Sequence, residues 1–119
     1  MLLKMSARLS DGILVLDCSG RIVFGEETAA LRETVKKLLT ETRQIVLNLG
    51  GVTYIDSVGL GTLVALYSSA RAAGGGVKLV NLTKQVGDVL QITKLLTVFE
   101  VYDNEQDAVR SFRRGVNAP

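Results

Sequence analysis

Residues 45–49 read Ile-Val-Leu-Asn-Leu, and a short way on comes Tyr54-Ile55-Asp56-Ser57-Val58-Gly59-Leu60-Gly61. This pairing constrains the fold more than any other part of the chain. The first run is short, apolar and rich in β-branched residues, as a buried strand is. After the second, Leu60, Leu63, Val64 and Tyr67 recur at helical spacing, with few breakers before Gly74. The spacing predicts a central strand over 44–49, a loop over 50–56 and a helix over 58–73. Ser57 then falls where the loop turns into the helix. Two readings are open there. The serine is an N-cap, its hydroxyl accepting from a free amide of the first turn. Alternatively, the hydroxyl is a chemical handle held at the positive end of the helix dipole.

The rest of the chain repeats the same alternation. Residues 2–9 read as an edge strand, Ser10-Asp11-Gly12 as a turn and 13–18 as a second strand, most simply paired antiparallel. A short third strand is expected over Arg21-Ile22-Val23-Phe24. Glu26 to Leu39 should be a helix with Leu31, Val35, Leu38 and Leu39 as its apolar stripe. Its acidic start and its Lys36-Lys37 end both suit the dipole. Beyond Gly74-Gly75-Gly76, residues 77–82 read as a strand. Thr83 caps a short helix to about Ile92, with Val86, Val89 and Leu90 inward. Residues 97–102 read as a last strand. Asp103 and Gln106 are spaced like a capping box for a final helix with Ala108, Val109 and Phe112 inward. Residues 114–119 are expected to fray. Strands alternating with helices imply a mainly parallel sheet. The expected fold is one small α/β domain over 1–119: a mixed, mostly parallel sheet opened by an antiparallel hairpin, with about four helices packed mainly on one side.

The long helix has a second face. Val58, Thr62, Ala65, Ser69 and Ala72 are all small or medium in size. Such residues suit an ordinary helix surface and equally a docking face, because no long charged side chain holds a partner away.

Composition removes several chemistries. The 119 residues contain no histidine, which excludes Ser-His-Asp and Cys-His catalysis. With one cysteine, Cys18, a zinc site has too few of its usual ligands, and that cysteine reads as a small core residue. Gly-Leu-Gly at 59–61 lacks the third glycine of a dinucleotide fingerprint, and the chain holds no Gly-Lys-Ser/Thr phosphate loop. Glu26-Glu27 reads as a helix first turn rather than an acid/base pair. No enzyme activity, metal or cofactor is expected. Fourteen basic against twelve acidic residues, net +2, is too balanced for a nucleic-acid surface. With no long apolar run and too short an apolar start for a signal peptide, a cytoplasmic protein is expected.

Taken together, residues 54–61, the helix after them, Gly74-Gly75-Gly76-Val77-Lys78-Leu79-Val80-Asn81-Leu82 and the run from Val89 to Tyr102 resemble the STAS domain of anti-sigma factor antagonists, over nearly the whole chain. The resemblance implies a partner-switching module. The unmodified protein would bind an anti-sigma factor that is a serine kinase and so free a sigma factor. Phosphorylation of Ser57 would end binding, and a phosphatase would restore it. ATP and magnesium would belong to the kinase, and the protein would be a monomer or weak dimer. Asp56, Val58, Gly59, Gly61, Thr62 and Ala65 would form the phosphoacceptor loop and partner contacts, with Gly59 and Gly61 leaving the hydroxyl open to a kinase. Many members carry an acid in the early strand near the phosphoacceptor, where this chain has Val23. The competing reading is a STAS subunit of a transporter or lipid-trafficking complex that regulates without phosphorylation; a weaker one is a small-molecule or nucleotide binder.

Overall fold

The computed structural model describes the backbone of residues 1–117 and side chains through Arg114. Strands β1 (Leu3–Ser10) and β2 (Ile13–Ile22) form a hairpin, closed by Asp11 and Gly12. Both turn residues have positive φ, the conformation a two-residue hairpin turn requires. Then follow α1 (Glu26–Leu38), β3 (Gln44–Ile55), α2 (Ser57–Ala72), β4 (Gly76–Val80), α3 (Lys84–Ile92), β5 (Glu100–Tyr102) and α4 (Glu105–Asn117). The five strands lie in chain order across one sheet; β1 is antiparallel to β2 and every other pairing is parallel. The expected α/β class, with its opening hairpin and four helices, is what the chain forms.

Period-two alternation puts successive residues of the central strand on opposite faces. Ile45, Leu47 and Leu49 point to the larger core. There they meet Leu31 and Val35 of α1, Leu60, Leu63 and Leu66 of α2, and Val86 and Leu90 of α3. Val46 points the other way, with Ile13, Val15 and Val80, onto Ala108, Val109 and Phe112 of α4. Three helices therefore cover one face and one helix covers the other. Of the inward residues expected, Leu31, Val35, Val86, Leu90, Ala108, Val109 and Phe112 are buried; Leu38, Leu39 and Val89 are partly buried, and Glu27 and Thr28 of α1 are buried although the stripe did not include them.

Several boundaries differ from the sequence reading. Residues 21–24 form no separate strand, because β2 runs unbroken from Ile13 to Ile22. The central strand does not stop at 49 but continues to Ile55, so the expected loop over 50–56 is mostly strand. Gly50-Gly51 reads as the start of a loop in sequence; here it lets two strands approach closely. Gly51 pairs with Ser19 at an irregular point of the β2–β3 register, and a Cβ on Gly51 would lie 2.5 Å from that of Ser19. The last strand shrinks to Glu100–Tyr102, and residues 95–97 form a 3-10 turn instead. It delivers Phe99 to the core, edge-on to Tyr67 at 5.6 Å. The last helix is capped by Asn104 rather than Asp103: its Oδ1 accepts from the Asp107 amide at 2.9 Å. That helix runs to Asn117, so the expected frayed tail is in part helical; residues 118 and 119 lie outside the described residues.

Candidate functional site

The end of β3 delivers Asp56 in extended conformation, φ −98° and ψ −177°, directly before α2. Asp56, not Ser57, is the N-cap. Its Oδ1 accepts from the Gly59 amide at 2.7 Å, satisfying a donor that the helix start leaves free. Its Oδ2 accepts from the amide of Phe24, 32 residues earlier, at 3.0 Å. A backbone bond from Asp56 N to the Ile22 carbonyl, 3.3 Å, ties the same segments again. The Phe24 amide, and after it the Gly59 amide, hold the Asp56 carboxyl below its ordinary pKa of 3.8, because both bonds favour the charged form. The carboxylate is therefore ionised at neutral pH.

The expectation that Ser57 caps the helix thus fails, for a geometric reason. Ser57 is already the first helical residue, and the carboxylate beside it occupies the Gly59 amide. Its side chain is left exposed, and among the described residues its hydroxyl has no hydrogen-bond partner. Val58, beside it, is 41% exposed.

The other residues singled out in the sequence separate. Gly61 is exposed, with open space where a Cβ would be, and Ala65 is half-buried. Gly59 is buried: a Cβ there would run into the Ile22 carbonyl and lie 2.9 Å from Ile55 Cγ1. Its lack of a side chain thus serves the close approach of α2 to the end of β2. Thr62 is fully buried, its hydroxyl donating to the Val58 carbonyl at 2.8 Å. The small-residue face of α2 is therefore not one surface. Ser69 and Ala72 are exposed, while Thr62 belongs to the interior.

Three residues near Ser57 escaped the sequence reading. Phe24 is 75% exposed although fully aromatic, and Tyr54 is 45% exposed. Arg21, the β2 partner of Tyr54, places its guanidinium 6.0 Å from the centre of that ring. Reading 21–24 as strand hid Phe24; the signal available was Gly25 directly after it, which ends any alternation. Val23 is half-buried and its carbonyl accepts from Thr28 N at 3.2 Å. The carboxylate closest in sequence to Ser57 is that of Asp56. Among the described residues no group of three acidic, cysteine or histidine side chains is placed to hold a metal. No described helix is long and apolar enough to cross a membrane.

This geometry can be set beside known proteins. The family model described as STAS domain matches residues 4–108. The chain is 29% identical over 80 residues to the anti-sigma-B factor antagonist of Bacillus subtilis, covering 67% of this chain and 73% of that protein. It is 27% identical over 101 residues to the anti-sigma F factor antagonist of Paenibacillus polymyxa, 82% of this chain and 85% of that one. The crystal structure of an anti-sigma factor antagonist from Mycobacterium paratuberculosis superposes with a TM-score of 0.80 at 26% identity, covering 93% of this chain and 94% of that one. The matched residues take in both strands of the hairpin, the Asp56–Ser57 junction and the start of the last helix, and on that extent the chain belongs to the STAS domain family.

Proposed function

We propose that this protein is an anti-sigma factor antagonist that works by partner switching, with Ser57 as the phosphoacceptor. One observation carries the reading: an exposed hydroxyl without an internal partner, fixed at the first residue of α2 because the preceding aspartate does the capping. A serine spent on capping would have to give up that bond before reacting; this one does not. The names of the relatives support the general role. The unmodified face, built of Ser57, Val58, Gly61 and Ala65 with Asp56 beneath, docks on an anti-sigma factor. Gly59 and Thr62 support that face from inside rather than touching the partner.

The partner, a serine kinase, transfers the terminal phosphoryl group of ATP. A bond forms between Ser57 Oγ and the γ-phosphorus, the bond from that phosphorus to the β,γ-bridging oxygen breaks, the hydroxyl proton passes to a base of the kinase and ADP departs. This chain supplies the acceptor alone. The product puts about −1.5 to −2 charges where a neutral hydroxyl stood, beside the carboxylate of Asp56. A closely docked partner surface then meets repulsion and a desolvation cost, and the complex separates. A phosphatase resets the switch.

The test is to incubate the protein with anti-sigma kinases of its source organism and ATP, and to map the modification by mass spectrometry. Phosphate on Ser57, absent from Ser57→Ala, is the expected result. No modification of Ser57, with co-purification of membrane transport subunits instead of a kinase, would move the protein to the class of STAS regulators that act without phosphorylation.

A further inference from the structure

We infer that Asp56 is a positioning residue that holds the loop bearing Phe24 against the start of α2, and that a phosphate on Ser57 breaks this tie and frees the loop. The inference rests on the reading of Ser57 as phosphoacceptor. The two oxygens of one carboxylate serve two elements: Oδ1 takes the Gly59 amide of its own helix, and Oδ2 takes the Phe24 amide at the end of β2. The clasp therefore joins the helix that carries the acceptor hydroxyl to the segment that carries an apolar ring 75% exposed to water. Such a ring gains little from burial in its own fold. Tyr54 and Val58, two residues before and after Asp56 in the chain, are exposed as well, so the segments tied by the clasp present three apolar side chains to water. A partner with an apolar pocket fits such side chains, and the guanidinium of Arg21 lies 6.0 Å from the Tyr54 ring.

A phosphate on Ser57 arrives next to a carboxylate that is already charged. Both anions are drawn to the same few amides at the helix start. The phosphate has more charge and three acceptor oxygens, so it displaces the carboxylate from Gly59. Repulsion turns the Asp56 side chain to solvent, and the Phe24 amide loses its acceptor. The loop keeps its bond from Thr28 N to Val23 O but no longer the one that fixed Phe24. Modification would then weaken docking in two ways, by direct repulsion and by unfixing the ring.

Phosphoserine placed at position 57 during translation tests this without any kinase. Hydrogen exchange of single amides is followed by NMR in the modified and unmodified protein. Exchange at Phe24 should quicken about tenfold on modification, while Gly59, whose amide passes from carboxylate to phosphate, and the amides of the central strand do not change. In Asp56→Asn the side chain keeps one acceptor oxygen and loses the second. Phe24 should exchange fast in that variant from the outset, and phosphoserine should add nothing more there. Equal exchange at Phe24 with and without the phosphate would overturn the inference, as would an equal phosphate effect in Asp56→Asn. A kinase that ignores Ser57 would sink the partner-switching reading and leave this result standing apart.

Discussion

Helices α2 and α3 follow neighbouring parallel strands and so start at the same end of the sheet, yet their first turns are built differently. Before α3, the Thr83 hydroxyl is used in both directions: it donates to the Val52 carbonyl at 2.8 Å and accepts from the Val86 amide at 3.4 Å. That hydroxyl is spent within the fold. Before α2, the cap is a charged carboxylate shared between Gly59 and Phe24, and the residue after it is a serine with an idle hydroxyl. The difference teaches that a helix start becomes a reactive position when capping is moved to a neighbouring side chain. The fold is served equally well in both places, and the chemistry is available in one.

The largest expected effect comes from the glycines within the two first turns. Gly59→Ala drives a Cβ into the Ile22 backbone and should destabilise by about 3 kcal/mol. Gly87, at the fourth residue of α3, has open space around its missing Cβ. Gly87→Ala should stabilise by about 0.5 to 1 kcal/mol, since glycine is a poor helix former. Urea denaturation of both variants reads the contrast directly. Similar shifts of the same sign would mean that α2 does not press on β2 as described.

Removing the caps gives the next effect. Asp56→Ala should cost about 2 kcal/mol, the upper part of the range for cap loss, because a charged group serves two donors. Thr83→Ala should cost about 1 kcal/mol. The pH dependence separates the two. The folded state holds the Asp56 carboxyl below 3.8, so it favours the charged form. Its contribution is complete above that ordinary value and is lost as pH falls through the lower folded value. The penalty of Asp56→Ala should therefore be flat from about pH 8 to about pH 5 and shrink at more acid pH, while that of Thr83→Ala follows no such course. Parallel denaturation series across pH measure this.

The smallest effect is expected at Ser57 itself. Ser57→Ala should change stability by no more than about 0.5 kcal/mol, as for an exposed residue without special contacts. A loss of about 1 kcal/mol or more would show that the serine shares the capping after all.

Much of this was legible in the chain. The short apolar, β-branched run from Ile45 to Leu49 placed the central strand, and Thr83 announced its own cap. What stayed hidden depended on distant residues. Asp56 and Ser57 are adjacent and both are good caps. The choice between them is made by the Phe24 amide, which the sequence puts 32 residues away. Gly50-Gly51 read as the start of a loop because the strand it lies against, at Ser19, is not written next to it. Thr62 fell on a small-residue stripe, and only the packed helix shows that it faces inward.

The most direct measurement is the affinity for the cognate anti-sigma factor, by titration calorimetry, of the unmodified protein and of the form phosphorylated on Ser57. The account predicts tight binding by the first and a loss of about a hundredfold in the second. Equal affinity of the two forms would contradict it.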